Sequence, residues 1–281
     1  MDIITGINRF IGLLVETARQ FRQGRIWLLL LGYLAVNWLI LQGFHQSSWS
    51  VTGTLVTFWT ALVDSEQAIR FTHYPDHLVL LPAYFGWAKL LLAFFVEGPL
   101  LGALAIMFHG SFMHIPSGQQ HPIRSALSAW FHLVAAWVII YGLVLLLYLP
   151  LPQLLAPLLA GSGKRMLAFE FVLQPAAFAT ILALFFFVIP RIAVYRESLP
   201  RALARSVPVV VENPITCLTL AAFILAIPIL LMNILNRAPQ IADRFTPETV
   251  YWLLAISLPV DTLFYFFWMG TAVRFLIDEE R

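Results

Sequence analysis

Charge is what this sequence has least of. Only 11% of its 281 residues are Asp, Glu, Lys or Arg, against about 25% in a typical soluble domain. A globular surface cannot be covered with water-facing groups at that level, which excludes an ordinary soluble fold. Lipid-facing helices carry no such requirement, and 60% hydrophobic residues with a mean hydropathy of +0.83 point the same way. A strong excess of positive charge is missing too. The net charge is +2, and no basic stripe interleaved with aromatics is present, so nothing argues for nucleic acid as a partner. Cysteine is reduced to Cys217. One thiol excludes an intramolecular disulfide and a cysteine-based zinc cluster, and its place in an apolar run reads as a small buried residue.

What is present instead is a series of long apolar runs. Ile26–Phe44, Leu78–Phe108, Leu133–Leu149, Phe171–Ile189, Ile215–Met232 and Val250–Leu276 are six candidate spans. Each approaches or exceeds the roughly 20 residues that a helix needs to cross about 30 Å of hydrocarbon. Trp130, Tyr148, Tyr195, Tyr251 and Trp252 sit near segment ends, where interfacial aromatics concentrate. Trp49–Val63 is uncharged but short and rich in threonine, so it reads as re-entrant, surface-lying or a seventh span.

Ahead of the first span, residues 1–25 predict an amphipathic helix lying in the membrane interface. Ile3, Ile7, Phe10, Leu14, Ala18 and Phe21 recur every three or four positions, with Ile4, Ile11 and Val15 beside them, while Arg9, Glu16, Arg19 and Gln20 fall largely off that stripe. Such a face buries in the headgroup boundary while its arginines stay wet. A cleaved signal peptide fits less well, because the charged leader is long and no small-x-small site follows the apolar run. The expected organisation is therefore an all-α membrane protein, with an interfacial helix at 1–25 and a six-helix transmembrane domain at 26–281.

Arginine placement sets the orientation. With six spans and the N-terminus inside, Arg9, Arg19, Arg22, Arg25, Arg124, Arg191, Arg196, Arg201, Arg205, Arg274 and Arg281 lie in cytoplasmic parts. Arg70, Lys164, Arg165, Arg237 and Arg244 lie outside. That asymmetry is the positive-inside bias, and it predicts both termini in the cytoplasm. Counting Trp49–Val63 as a span would export either the first arginine cluster or the one at 191–205.

A short motif recurs. Pro122-Ile-Arg-Ser-Ala-Leu127 precedes the third span and Leu199-Pro-Arg-Ala-Leu203 the fifth. Each follows a span descending to the cytoplasm, so a duplication would give both copies one orientation.

The run from Phe187 to Ser206, followed by Val-Pro-Val-Val-Val-Glu-Asn-Pro into the fifth span, resembles bacterial multi-span membrane proteins related to the membrane domain of glycerophosphodiester phosphodiesterases. In that group a span ends with a proline or small residue, then come an Ala-Leu-x-x-Ser helix and an Asn-containing approach to the next span. Ala202, Leu203, Ser206 and Asn213 fit that order. Glu97-Gly-Pro-Leu-Leu-Gly102, Ala126-Leu127 and the run from Phe264 to Glu280 are similar to other parts of the group. The resemblance implies a six-helix fold in the bacterial inner membrane and supplies no catalytic residue. The soluble catalytic barrel of those enzymes has no counterpart in these residues, and many of the group are regarded as envelope accessory proteins.

Three ionisable residues lie at membrane depth, where a charge costs roughly 2.5–3.5 kcal/mol or more. At about 1.5 Å per residue, Lys89 and Asp261 come roughly 15 and 17 Å in from the outer ends of their spans, so the two pair if the second and sixth helices touch. Glu97 lies deeper. Glu97 precedes Gly98-Pro99 and Asp261 follows Pro259, and proline frees a carbonyl, which places both acids beside helix breaks. Carboxylates at such breaks recur in transporter sites; the rival reading is a structural pair, or acids held by freed backbone groups.

Other chemistry is thin. His109, His114, His121 and His132 fall on the cytoplasmic side and His73 and His77 outside, with Asp76 a possible oxygen ligand. Pro75 works against helical i,i+4 geometry for the outer pair, and no His-Glu-x-x-His pattern is present. Haem ligation by His132 finds no second mid-helix histidine on another span. Gly161-Ser-Gly-Lys164 fails as a phosphate loop, because Leu158 replaces the first glycine and Arg165 the Ser or Thr that binds magnesium; a flexible outer loop is expected. Arg191, Arg196, Arg201 and Arg205 with Glu197 form a basic elbow, either fixing topology or contacting anionic lipids or an acidic partner.

The expectation is therefore an accessory or scaffold protein of an envelope process, without cofactor, metal or enzymatic activity of its own. It would be embedded in lipid and joined to a membrane-protein partner or a second copy of itself. The alternative is a transporter of a small polar or lipid-like substrate using Lys89, Glu97 and Asp261.

Overall fold

A computed structural model describes residues 3–46, 50–63, 69–71, 73–116, 121–148, 150–159 and 162–280. Trp49, Leu149, Gly161 and Arg281, all used in the sequence reading, lie outside the described residues. The described residues are mostly helical and include no strand. Among the described residues, six helical stretches are long and apolar enough to cross a membrane: Gly24–His45, Asp76–Phe112, Trp130–Leu147, Gly163–Tyr195, Pro214–Leu235 and Glu248–Glu279.

The helices follow one order repeated three times. A short helix leads into a span, and a second short helix leads into a longer span. The first set is α1 (Ile3–Arg19), α2 (Gly24–His45), α3 (Ser50–Val63) and the stretch made of α4 (Asp76–Leu92) and α5 (Gly98–Phe112). The second is α6 (Pro122–Ser128), α7 (Trp130–Tyr148), α8 (Pro150–Leu159) and the stretch made of α9 (Gly163–Ala168), α10 (Gln174–Phe185) and α11 (Val188–Tyr195). The third is α12 (Leu199–Glu212), α13 (Pro214–Leu235), α14 (Ala238–Arg244) and α15 (Glu248–Glu279). The recurring Ala-Leu motif is thus the visible part of a larger repeat. Pro99 and Pro175, Ala126 and Ala202, and Leu127 and Leu203 are each 76 residues apart.

The long stretches of the first two sets share a defect at the same place. A π-helical turn occupies Ala93–Glu97 before Gly98-Pro99, and another occupies Phe169–Leu173 before Gln174-Pro175. Proline has no N–H to give the carbonyl four residues back, and its ring crowds that carbonyl. One extra residue per turn relieves the clash and re-pairs the backbone, an arrangement that lipid makes compulsory.

These stretches run further than hydropathy marked them. The fourth span, read as Phe171–Ile189, covers Gly163–Tyr195, so Gly163 and Lys164 open α9 where a flexible loop was expected. Helix geometry carries the chain through Lys164 and Arg165 because a helix end that emerges from hydrocarbon no longer needs apolar residues. In contrast, α3 has 14 residues, about 21 Å at 1.5 Å per residue, and is too short to span.

The chain packs as two units. One comprises Met1–Ile26, Phe94–Ala226 and Tyr265–Arg281; the other comprises Trp27–Ala93 and Ile227–Phe264. This division differs from a 1–25/26–281 partition because α1 is tied by its side chains to the end of α15.

In the first unit the long stretches meet at an aromatic core. Phe108 lies edge-on to Phe266 at 5.1 Å between centroids, Phe187 contacts Phe275 at 4.9 Å, and the Trp268 indole N–H donates to the Phe186 carbonyl at 3.2 Å. Each long stretch also packs on the next short helix: α5 on α6, α11 on α12, and the end of α15 on α1. The last joint closes a ring. Arg9 donates to Glu279 at 2.6 Å and to Asn213 at 2.9 Å, and its guanidinium lies 3.9 Å from the Phe275 ring centre. Arg274 pairs with Glu16 and with Asp278.

Small residues make the joints possible. A Cβ at Gly98 would sit 2.9 Å from the Leu133 carbonyl oxygen, one at Gly102 would strike the Leu133 side chain, and one at Gly270 would strike Thr17 and Phe108. Such close approach is how helices associate in lipid, where apolar burial gives no net drive. The second unit has its own core, built from Leu41, Phe44, Phe71, Leu78, Leu81, Tyr84, Tyr251, Leu254 and Leu258 among others.

Because the obstacle at Gly98 is backbone, Gly98→Ala should destabilise the purified protein by about 1–3 kcal/mol. It should do so more than Gly86→Ala, where nothing lies within 4 Å of the added Cβ. Thermal unfolding of the two variants in one detergent checks the order.

Candidate functional site

The three membrane-depth ionisable residues fall into two separate places. Lys89 sits near the end of α4 and Asp261 in α15, two residues past Pro259, and both belong to the second unit. The Lys89 ammonium donates to Asp261 in a direct ion pair, with each side chain about 22% exposed. The pairing inferred from depth along two distant helices is therefore present. A facing opposite charge offsets part of the cost of holding either group in an apolar surrounding.

Glu97 belongs to the first unit and is fully buried. The Trp137 indole N–H donates to its Oε2 at 3.1 Å, and the Tyr141 hydroxyl donates to the same oxygen at 3.5 Å. Trp137 and Tyr141 lie four residues apart on α7, one above the other on a single face. The π-helical turn at Ala93–Glu97 turns the carboxyl toward them, and the missing side chain at Gly98 lets α7 come close enough to receive it. Sequence reading singled out Glu97 and missed both donors. Their signal was available: two polar-tipped aromatics at i,i+4 in the middle of an uncharged span.

The arginine elbow is mostly engaged within the protein. Arg191 is buried, with Nη1 3.7 Å from Glu197 Oε1, and Arg205 reaches the same oxygen at 2.7 Å. Arg196 ends α11 with φ 59° and ψ 29°, left-handed values that favour glycine. Its guanidinium is anchored on the neighbouring short helix, donating to the Ser125 carbonyl at 2.8 Å and to the Ser128 hydroxyl at 2.7 Å. Of the four, Arg201 alone is exposed with no polar side-chain partner among the described residues. The elbow therefore fastens the end of α11 to α6 and α12.

The histidines do not assemble. Asp76 accepts from Arg70 at 3.0 Å, while the His77 ring faces His45 and Tyr74, with centroids about 6 Å away. His45 stacks on Tyr251 at 4.1 Å. Among the described residues no group of three His, Cys, Asp or Glu side chains could hold a metal ion. Cys217 is buried.

Comparison with family models, curated proteins and solved structures found no match.

Two outcomes check the site. Lys89→Met and Asp261→Asn should each destabilise the fold, and a double-mutant cycle should return a coupling of about 0.5–3 kcal/mol; additive losses would mean the ion pair is not formed. Arg196→Gly should be more stable than Arg196→Ala, because both lose the anchor and only alanine keeps the left-handed backbone strain.

Proposed function

We propose that this chain is a multi-pass accessory or scaffold protein of the bacterial inner membrane, with both termini in the cytoplasm and no chemistry of its own. The observation that carries this reading is that each membrane-depth ionisable group is held by a partner within its own unit. Lys89 is paired with Asp261, and Glu97 is capped by Trp137 and Tyr141. A group committed to holding helices together is poorly placed to bind and release a substrate.

Further support comes from the sequence. The arginine bias puts α1, α6 and α12 in the cytoplasmic interface, where the exposed Ile4, Ile7, Ile11 and Val15 of α1 would dip into lipid. The likeness to the membrane domain of glycerophosphodiester phosphodiesterases belongs here as well. It rests on Ala126-Leu127, Ala202-Leu203, Ser206 and Asn213, and it favours an accessory role. The partner is a membrane protein or a second copy of this chain.

The test is purification in mild detergent with identification of co-purifying proteins, done for the wild type, Glu97→Gln and Asp261→Asn. A scaffold keeps its partner in every variant that still accumulates in the membrane. Loss of cellular function in both variants, with accumulation and partner capture unchanged, favours the transporter reading instead. Orientation is checked by tagging Ser198 and Thr246: a label that reaches Ser198 only from the cytoplasm and Thr246 only from outside fits, and the reverse overturns the threading.

A further inference from the structure

The outward face of α1 and of the single 3₁₀ turn after it (Gln20–Arg22) carries an open groove of about 670 Å³, lined by Val15, Ala18, Arg19, Phe21 and Arg22. Its lining has two characters. Val15 is 47% exposed and continues the line of exposed Ile4, Ile7 and Ile11 along the helix, while Phe21, 39% exposed, leans its ring on Phe266 at 4.5 Å between centroids and forms the end wall of the groove. Arg19 and Arg22 are also exposed, and neither guanidinium has a partner among the described residues. In a 3₁₀ turn side chains three residues apart eclipse one another, which brings these two arginines to one side of the chain.

No carboxylate among the described residues of the lining answers their charge. The acid nearest in sequence, Glu16, is turned away to Arg274, and Arg9 is turned away to Glu279 and Asn213. The polar side chains that bind α1 to the protein are therefore spent on the inner face. The outer face keeps an apolar strip ending in two unneutralised guanidinium groups.

We propose that this groove holds one anionic phospholipid, with its phosphate between Arg19 and Arg22 and its acyl chains along Phe21, Val15 and the isoleucine line. The occupant has to be anionic at one end and apolar along the rest. Free phosphate would satisfy the arginines and leave the strip wet. A zwitterionic lipid would cover the strip but bring its own cation, leaving the two positive charges of the arginines undiminished, whereas an anionic lipid halves them. Guanidinium suits a phosphate because its planar fork donates two parallel hydrogen bonds. The inference rests on the membrane reading above and is independent of the scaffold role.

The full chain in mild detergent, given phosphatidylglycerol or phosphatidylcholine in excess and examined by native mass spectrometry, tests it. Wild type should retain phosphatidylglycerol preferentially. Arg19→Gln/Arg22→Gln should lose that preference by on the order of thirty-fold, while Arg19→Lys/Arg22→Lys keeps most of it and Arg244→Gln changes nothing. Equal retention of the two lipids by wild type overturns the proposal, and so does a preference that survives in the glutamine pair. Should the glutamine pair fail to accumulate, rising salt on wild type decides: the preference has to weaken, and one indifferent to salt overturns the proposal. A lipid preference seen with neither a captured partner protein nor an oligomer of this chain leaves this site standing and removes the scaffold role instead.

Discussion

A backbone in lipid has to satisfy its own hydrogen bonds, and in this chain the prolines determine where that is hardest. Pro99 and Pro175 interrupt two long stretches at corresponding points, and each break is absorbed by a π-helical turn rather than by a kink open to lipid. The extra residue in each π-helical turn rotates the side chains at the break to a new direction. At the first break, that rotation directs Glu97 to Trp137 and Tyr141, and the adjacent glycine lets α7 approach. The buried acid, its two donors and the helix joint therefore share one cause.

The same constraint gives the repeat its shape. The short helix that opens the second and the third set is packed on the end of the previous long stretch, and α1 joins the end of the last one through Arg9, Glu16, Arg274 and Glu279. Association in lipid gains little from apolar burial, so it relies on close backbone approach and on polar contacts between helices. Gly98, Gly102 and Gly270 provide the approach. The ion pairs at the ring closure and the Arg196 anchor on Ser125 and Ser128 provide the contacts. Charges that would suit a binding surface are thereby drawn into joints, which explains why most of the arginine elbow is occupied while Arg19 and Arg22 stay free among the described residues.

Much of the architecture was legible before any coordinates. Six apolar runs became six membrane-competent helices because span length is imposed by bilayer thickness, a property of the solvent rather than of the fold. The Lys89–Asp261 pair was legible for a related reason: depth along a helix follows from residue count, and opposite charges at one depth in lipid seek each other. The ends of the spans were less legible. Lys164 and Arg165 continue a helix that hydropathy would have ended at Phe171, because apolar content reports contact with hydrocarbon and is silent about helix beyond it.

By itself, then, the sequence determined the helical class, the six membrane-competent helices, the positions of the charges along them and the existence of a repeated motif, since each is a one-dimensional property of the chain. Tertiary structure alone decided which polar groups are satisfied and by whom. Trp137 and Tyr141 reach Glu97 only because of a π-helical turn and a missing Cβ, and Arg9 and Glu16 point inward only because the last helix brings Glu279 and Arg274 to them. Those are relations between residues far apart in the chain, and no local pattern encodes the direction in which a helix presents them.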